Sequence, residues 1–186
     1  DEMAQMIDMS KEFGYQIAAF HHAIEAYKVA PLLRDNNICA VMWADWWGFK
    51  QEAFDMIREN LALVDFAGGC AIIHSDDPIQ VQRLNQELAK AMSAANRLGL
   101  EVTRAQAIRW LTSNPARSLG LEDSIGSIEV GKNADFVLWN GDPFSVYALA
   151  EAVWIDGAQR FDLSDSAIRP TSDFNIGILA PGENRP

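Results

Sequence analysis

The chain has 186 residues, 49% of them hydrophobic, and a formal net charge of −11. That length and apolar share suit one moderate domain, or one lobe and part of another, and exclude a disordered chain. The acidic balance excludes a nucleic-acid partner and an anionic membrane surface, since both require a Lys/Arg face. No apolar run reaches the roughly 18 residues that a membrane span needs. The two cysteines, Cys39 and Cys70, both lie in apolar runs and read as a buried, reduced pair. Their number assigns no compartment.

Along the chain, Met3, Met6, Ile7 and Phe13 already read as an amphipathic helix in progress. Position 1 is not a methionine, and no signal-like apolar region follows it. The expectation is therefore a chain that starts inside a larger protein, with any targeting signal out of view. Residues 17–20 read as a short buried strand ending at His21-His22. Ala26, Val29, Ala30 and Leu33 give residues 25–36 one apolar helical face. Pro31 is awkward inside that helix, and a start near Ala30 relieves it. Residues 38–43 read as a second strand. Phe54, Ile57, Leu61 and Val64 predict a helix over 52–67, stopped by Gly68-Gly69.

Residues 70–73 read as a third strand, ending at His74-Ser75-Asp76-Asp77-Pro78. Val81, Leu84, Leu88, Ala91, Ala95 and Leu98 predict the inward face of a long helix over 81–98. This βαβαβα rhythm of short apolar strands predicts an α/β fold with a parallel sheet covered on both faces. Thr103 and Gln106 have the spacing of a capping box, opening a helix that Asn114-Pro115 breaks. Residues 127–139 then read as two strands around a Gly-Lys-Asn turn. Asp156-Gly157 marks a hairpin between residues 152–155 and 159–161. From Ser164 onward the chain is polar and Pro/Gly-punctuated, and reads as an extended tail.

All three histidines follow the apolar core of a strand, as do Asp45, Asp76 and Asp77. In a βα barrel such strand ends face one another across one mouth. Imidazoles and carboxylates converging there are also suitable metal ligands, although no compact ligand motif is present. The plainer alternative is that the histidines bond neighbouring strands and an aspartate caps the helix near Pro78. With Pro78 close to the first turn, Asp77 is the better cap and Asp76 the better site residue. Trp43, Trp46 and Trp47 either line an apolar pocket or pack under loops. Lys28 reads as a solvated lysine. No Gly-x-Ser-x-Gly surrounds Ser75, which argues against a serine nucleophile.

Three segments carry a resemblance: His22 to Ala30, Asp45-Trp46-Trp47, and His74 to Pro78. Together they resemble the amidohydrolase superfamily, on its imidazolonepropionase-like and prolidase-like side. Leu111-Thr112-Ser113-Asn114-Pro115-Ala116 looks like that superfamily's post-barrel helix, and Ile125 to Val137 like its return into a β-sandwich. The resemblance implies a C-terminal part, about strands 6–8, of a distorted (β/α)8 TIM barrel over 1–120. Strands of a small β-sandwich domain follow over 121–163, and a tail over 164–186. It implies one or two divalent metals, usually zinc, held in part by His22 and Asp76, with Asp76 also the catalytic proton carrier. His21, Asp45, Trp46, Trp47, His74 and Asp77 would then border the substrate pocket.

The resemblance also implies hydrolysis of C–N bonds in small molecules or short peptides by metal-activated water. The family's remaining ligands have no match here, so an N-terminal part or a partner copy is expected to complete the site. The alternative is a non-catalytic fragment, or a binding or structural module.

Overall fold

The computed structural model describes residues 1–165 and 167. Helix α1 (Glu2–Phe13) buries Ile7 in the main core. Three short strands follow, β1 (Ala19–His21), β2 (Cys39–Met42) and β3 (Cys70–Ile73). They form one parallel sheet in the order β1-β2-β3, with Ala19, Cys39 and Cys70 in one register row. Side chains alternate across it. Ala40, Met42, Ala71 and Ile73 join the core that contains residues of helices α2 (Ala30–Asp35), α3 (Asn60–Phe66) and α4 (Leu84–Arg97). Cys39, Val41, Cys70 and Ile72 form a second cluster with Ala19. Every residue of β2 and β3 is buried. Burial on both faces is why these strands read as continuous apolar runs rather than alternating ones.

Cys39 and Cys70 are joined by a disulfide, which corrects the expectation of reduced thiols. The two residues are register partners on adjacent strands, with Cα atoms 4.5 Å apart. Sheet spacing brings their side chains together on one face. Two apolar runs separated in sequence do not disclose that pairing.

The outer edge of β3 is covered from the corner between α5 (Arg104–Arg109) and α6 (Ser113–Ser118). The Ile73 N–H donates to the Trp110 carbonyl (3.0 Å), and Asn114 Nδ2 donates to the Ala71 carbonyl (2.8 Å). Backbone groups that would otherwise invite another strand are thereby satisfied.

Several boundaries differ from the sequence pattern. Residues 52–67 form a 3-10 turn at Gln51–Ala53 and then the shorter α3. Phe54, counted on the apolar face, is largely exposed, while Asn60 is buried. Residues 81–98 likewise divide into a 3-10 turn, Gln80–Arg83, and α4, leaving Val81 and Leu98 exposed. Pro115 does not break a helix: it lies in the first turn of α6, where a proline needs no N–H partner. The Thr103–Gln106 capping box forms as expected.

A second, antiparallel sheet has the order β4 (Phe136–Trp139), β5 (Ala150–Ile155), β6 (Ala158–Asp162). Only one of the two strands expected over 127–139 exists. Ile128 and Val130 are exposed and have no strand partner. Asp156 and Gly157 both adopt positive φ, 51° and 74°, as a tight hairpin turn with right-handed strand twist requires. Phe144 packs on the main core, and Asn85 Nδ2 donates to the Pro143 carbonyl (2.8 Å), tying this region to α4. Apart from Ser164, Asp165 and Ala167, the expected tail lies outside the described residues. Among the described residues no helix is long and apolar enough to cross a membrane.

Candidate active site

His21 closes β1 and His22 follows it. His22 has φ of 56°, in the left-handed region. Asp76, three residues past the end of β3, has φ of 52°. Neither is glycine, and such conformations are retained only where the surroundings hold them, at roughly 1–3 kcal/mol each. These two strained residues meet: His22 Nε2 lies 3.3 Å from Asp76 Oδ2, with both side chains about half exposed.

The loop after His22 is held from below by Asn60 at the start of α3. Asn60 Nδ2 donates to the Ala23 carbonyl (3.0 Å) and to the Ile24 carbonyl (2.8 Å). Its Oδ1 accepts the Tyr27 N–H (2.9 Å). The Ala23 N–H donates to the Val41 carbonyl (3.1 Å), fixing the same loop to β2. Asn60 was not foreseen as a site-supporting residue; an asparagine inside an apolar helical pattern is the signal that could have found it.

Trp43, just past β2, is the centre of an aromatic column. Its ring stacks on His22 (5.0 Å between centroids, 4° between planes) and on His74 (4.8 Å, 28°). Trp46 stacks on Trp43 (5.5 Å, 3°), and Phe49 meets both tryptophans edge-on. Lys50 Nζ lies 5.2 Å from the Phe49 ring centroid and 6.0 Å from that of Trp43, within cation–π range. Phe49 and Lys50 were not singled out from sequence, because they follow the Gly48 turn rather than a strand end.

His74 stacks on His22 at 5.4 Å and meets His21 edge-on at 6.0 Å. Its Nε2 is buried without a hydrogen-bond partner. Burial is the main reason its pKa falls to about 4, and the neighbouring His22 lowers it further, against the opposing pull of Asp76. His74 is therefore a neutral imidazole near pH 7.

The structure thus gathers His22, His74 and Trp46 around Trp43, with His21 beside the other two histidines and Asp76 beside His22. The other three expected pocket residues stand elsewhere. Asp77 Oδ1 accepts the N–H groups of Ile79 (2.7 Å) and Gln80 (2.8 Å), capping the turn that leads to α4. Asp45 pairs with Lys90 (2.8 Å), which also pairs with the buried Glu87 of α4. Trp47 is exposed and packs on Phe54. Lys28 is exposed as expected and pairs with Glu25 and Asp55. A cleft of about 780 Å³ opens beside His21 and His22, bordered by Met3 and Met6 of α1 and by Glu25, Lys50 and Glu52. Among the described residues no group of three or more His, Cys, Asp or Glu side chains is arranged to hold a metal.

Comparison with known proteins places the chain in a family. The chain is 33% identical over 167 residues to the amidohydrolase tasK of Hapsidospora irregularis, covering 87% of this chain and 16% of that protein. A 39-residue stretch is 54% identical to the imidazolonepropionase of Shewanella oneidensis, covering 21% of this chain and 10% of the enzyme. The solved amidohydrolase of Thermotoga maritima MSB8 superposes with a TM-score of 0.76 at 33% identity, over 87% of this chain and 41% of that one. The chain's matches therefore span less than half the length of these relatives. Residues 21–161 match the Amidohydrolase family, and the matched region contains His22, Trp43, His74 and Asp76, so the chain belongs to that family of hydrolases.

Proposed function

We propose that His22 and Asp76 are two ligands of a divalent metal, zinc by the character of the donors, in a hydrolase that cleaves C–N bonds of amides, cyclic amides or short peptides. The observation that carries this reading is the 3.3 Å approach of His22 Nε2 to Asp76 Oδ2, made by two strained, solvent-accessible residues from different strand ends. The donor set fits. An imidazole nitrogen and a carboxylate oxygen are both donors that zinc would accept, and here they stand side by side. Two donors do not close such a site, so residues outside these 186 supply the others. In this reading β1, β2 and β3 are strands 6–8 of a distorted (β/α)8 barrel within residues 1–120. Residues 121–163 belong to a small β-sandwich domain.

When bound, the metal supplies Lewis acidity, lowering the pKa of water and polarising the scissile carbonyl. Asp76 accepts the proton of the attacking water and passes it to the leaving nitrogen, base first and acid second. His22 would offer the lone pair of Nε2 as a ligand. His74, kept neutral by burial, adds no positive charge beside the metal. Trp46 and His21 border the substrate.

The test uses the complete protein, assayed against N-acyl amino acids, dipeptides, cyclic amides and lactones. The expected result is metal-dependent release of an amine or ammonia, reduced at least a hundredfold by Asp76→Asn and by His22→Ala. A complete protein without divalent metal, or an Asp76→Asn variant of undiminished activity, would sink the proposal. Preference for lactones would keep the mechanism and replace the bond class. The 186 residues alone are expected to bind zinc weakly and to hydrolyse nothing. Tight binding of one zinc per chain, abolished by His22→Ala, would contradict the two-donor account.

A further inference from the structure

We infer that Trp43 is a positioning residue that holds both His22 and Asp76 in their strained conformations; the inference rests on the metal-site reading of that pair. Trp43 is itself buried, at 2% exposure, immediately after β2. One ring does two things. Its face lies parallel to the His22 imidazole, 5.0 Å away and 4° from coplanar. Its Nε1–H donates to the carbonyl of Ser75 (3.1 Å), the residue joined to Asp76. β2 lies between β1 and β3, so a side chain at its end stands next to the ends of both neighbours.

The two contacts fix complementary features. Stacking sets the plane of the His22 ring, and hence the direction of Nε2. The indole hydrogen bond pins the Ser75 carbonyl, and hence the peptide plane leading into Asp76. Both residues adopt positive φ, so each needs an external restraint against relaxing to a right-handed or extended conformation. Trp46 stacks on Trp43 and backs the ring. The adjoining Ser75 hydroxyl donates to the Asp77 carbonyl (3.1 Å) and accepts the Asp77 N–H (3.3 Å), stiffening the far side of Asp76. A phenyl ring at position 43 keeps the stacking and loses the hydrogen bond. A leucine loses both.

The experiment compares wild type, Trp43→Phe and Trp43→Leu in the complete protein. Zinc affinity is measured by chelator competition, the ligand field by the visible spectrum of the cobalt(II)-substituted protein, and the geometry by crystal structures of the metal-free forms. Trp43→Leu is expected to lower zinc affinity at least tenfold, as loss of a ligand-orienting partner does. It is also expected to shift the cobalt spectrum and to open the His22–Asp76 gap. Trp43→Phe is expected to keep the His22 ring in place, displace Asp76, and recover part of the affinity. Zinc affinity within twofold of wild type in Trp43→Leu overturns the inference; if that variant does not fold, the same result in Trp43→Phe does. Should the wild type bind no zinc, the metal-site reading fails. The metal-free structures then decide the positioning role alone, and an unchanged His22–Asp76 gap in the variants overturns it.

Discussion

Cys39 and Cys70 face each other as register partners on β2 and β3, and a disulfide joins them with their Cα atoms 4.5 Å apart. The bond crosslinks residues 31 apart in sequence at the end of the sheet away from His22 and Asp76. Loop-closure entropy gives such a link on the order of 2–4 kcal/mol. The paired substitution Cys39→Ala with Cys70→Ala is expected to lower unfolding free energy by about that amount in a denaturant titration. Mass spectrometry after alkylation without reductant is expected to find both cysteines unmodified. Two alkylated thiols in native protein would refute the bond.

Asn60 is a buried polar side chain serving three backbone groups of the loop after His22. Leucine has the same branched side-chain skeleton but can satisfy none of them. Each buried group left without a partner costs roughly 1–3 kcal/mol. Asn60→Leu is therefore expected to destabilise the fold by about 3 kcal/mol or more, measured by urea unfolding. A loss under about 1 kcal/mol would mean that water replaces the amide.

Gly126, beyond the end of α6, packs back against that helix. Its φ is 91°, and an added Cβ would lie 2.6 Å from Ala116 Cβ and 3.1 Å from the Thr112 carbonyl oxygen. Both the backbone conformation and the space reject a side chain. Gly126→Ala is expected to lower Tm by several degrees, equivalent to roughly 1–3 kcal/mol. Gly141, with open space around it, is the control, and equal effects at the two positions would contradict the packing argument.

His74 titrates at about 4 in the folded protein, below its ordinary value of 6.5, because it is buried and lies beside His22. The unfolded chain therefore takes up this proton first as pH falls. Between about pH 6.5 and 4 it binds more protons than the native state, so stability declines across that window and levels off below it. Thermal scans from pH 7 to 4 are expected to show a smaller decline for His74→Gln than for wild type. Parallel curves would show that another group governs the acid limb.

The legible parts of the fold are those controlled by local chemistry. β3 matched its apolar run to the residue, because Gly68-Gly69 and His74 bracket four consecutive apolar residues. The Thr103–Gln106 box and the Asp156-Gly157 turn were legible because each satisfies its own backbone within a few residues. The split of 52–67 was not, because Asn60 stands beside the apolar face of that helical pattern and its partners come from the distant 23–27 loop. Strands expected over 127–139 failed in part because a strand needs a neighbour, and Ile128 and Val130 have none.

At the site, sequence alone placed His21, His22, His74 and Asp76 at strand ends, since a parallel sheet sends its carboxyl ends to one side. Family motifs then singled out His22 and Asp76. It also separated Asp77 from Asp76, because a helix start beside Pro78 needs a cap. Tertiary structure alone decided which neighbours share the site. Asp45 turns to Lys90, Trp47 turns to Phe54, and Trp43 stacks on His22 while reaching Ser75. Those choices depend on side-chain directions after the strand ends and on packing between strands. The same holds for the disulfide: two cysteines in apolar runs are visible in sequence, but only the register of β2 against β3 brings them together.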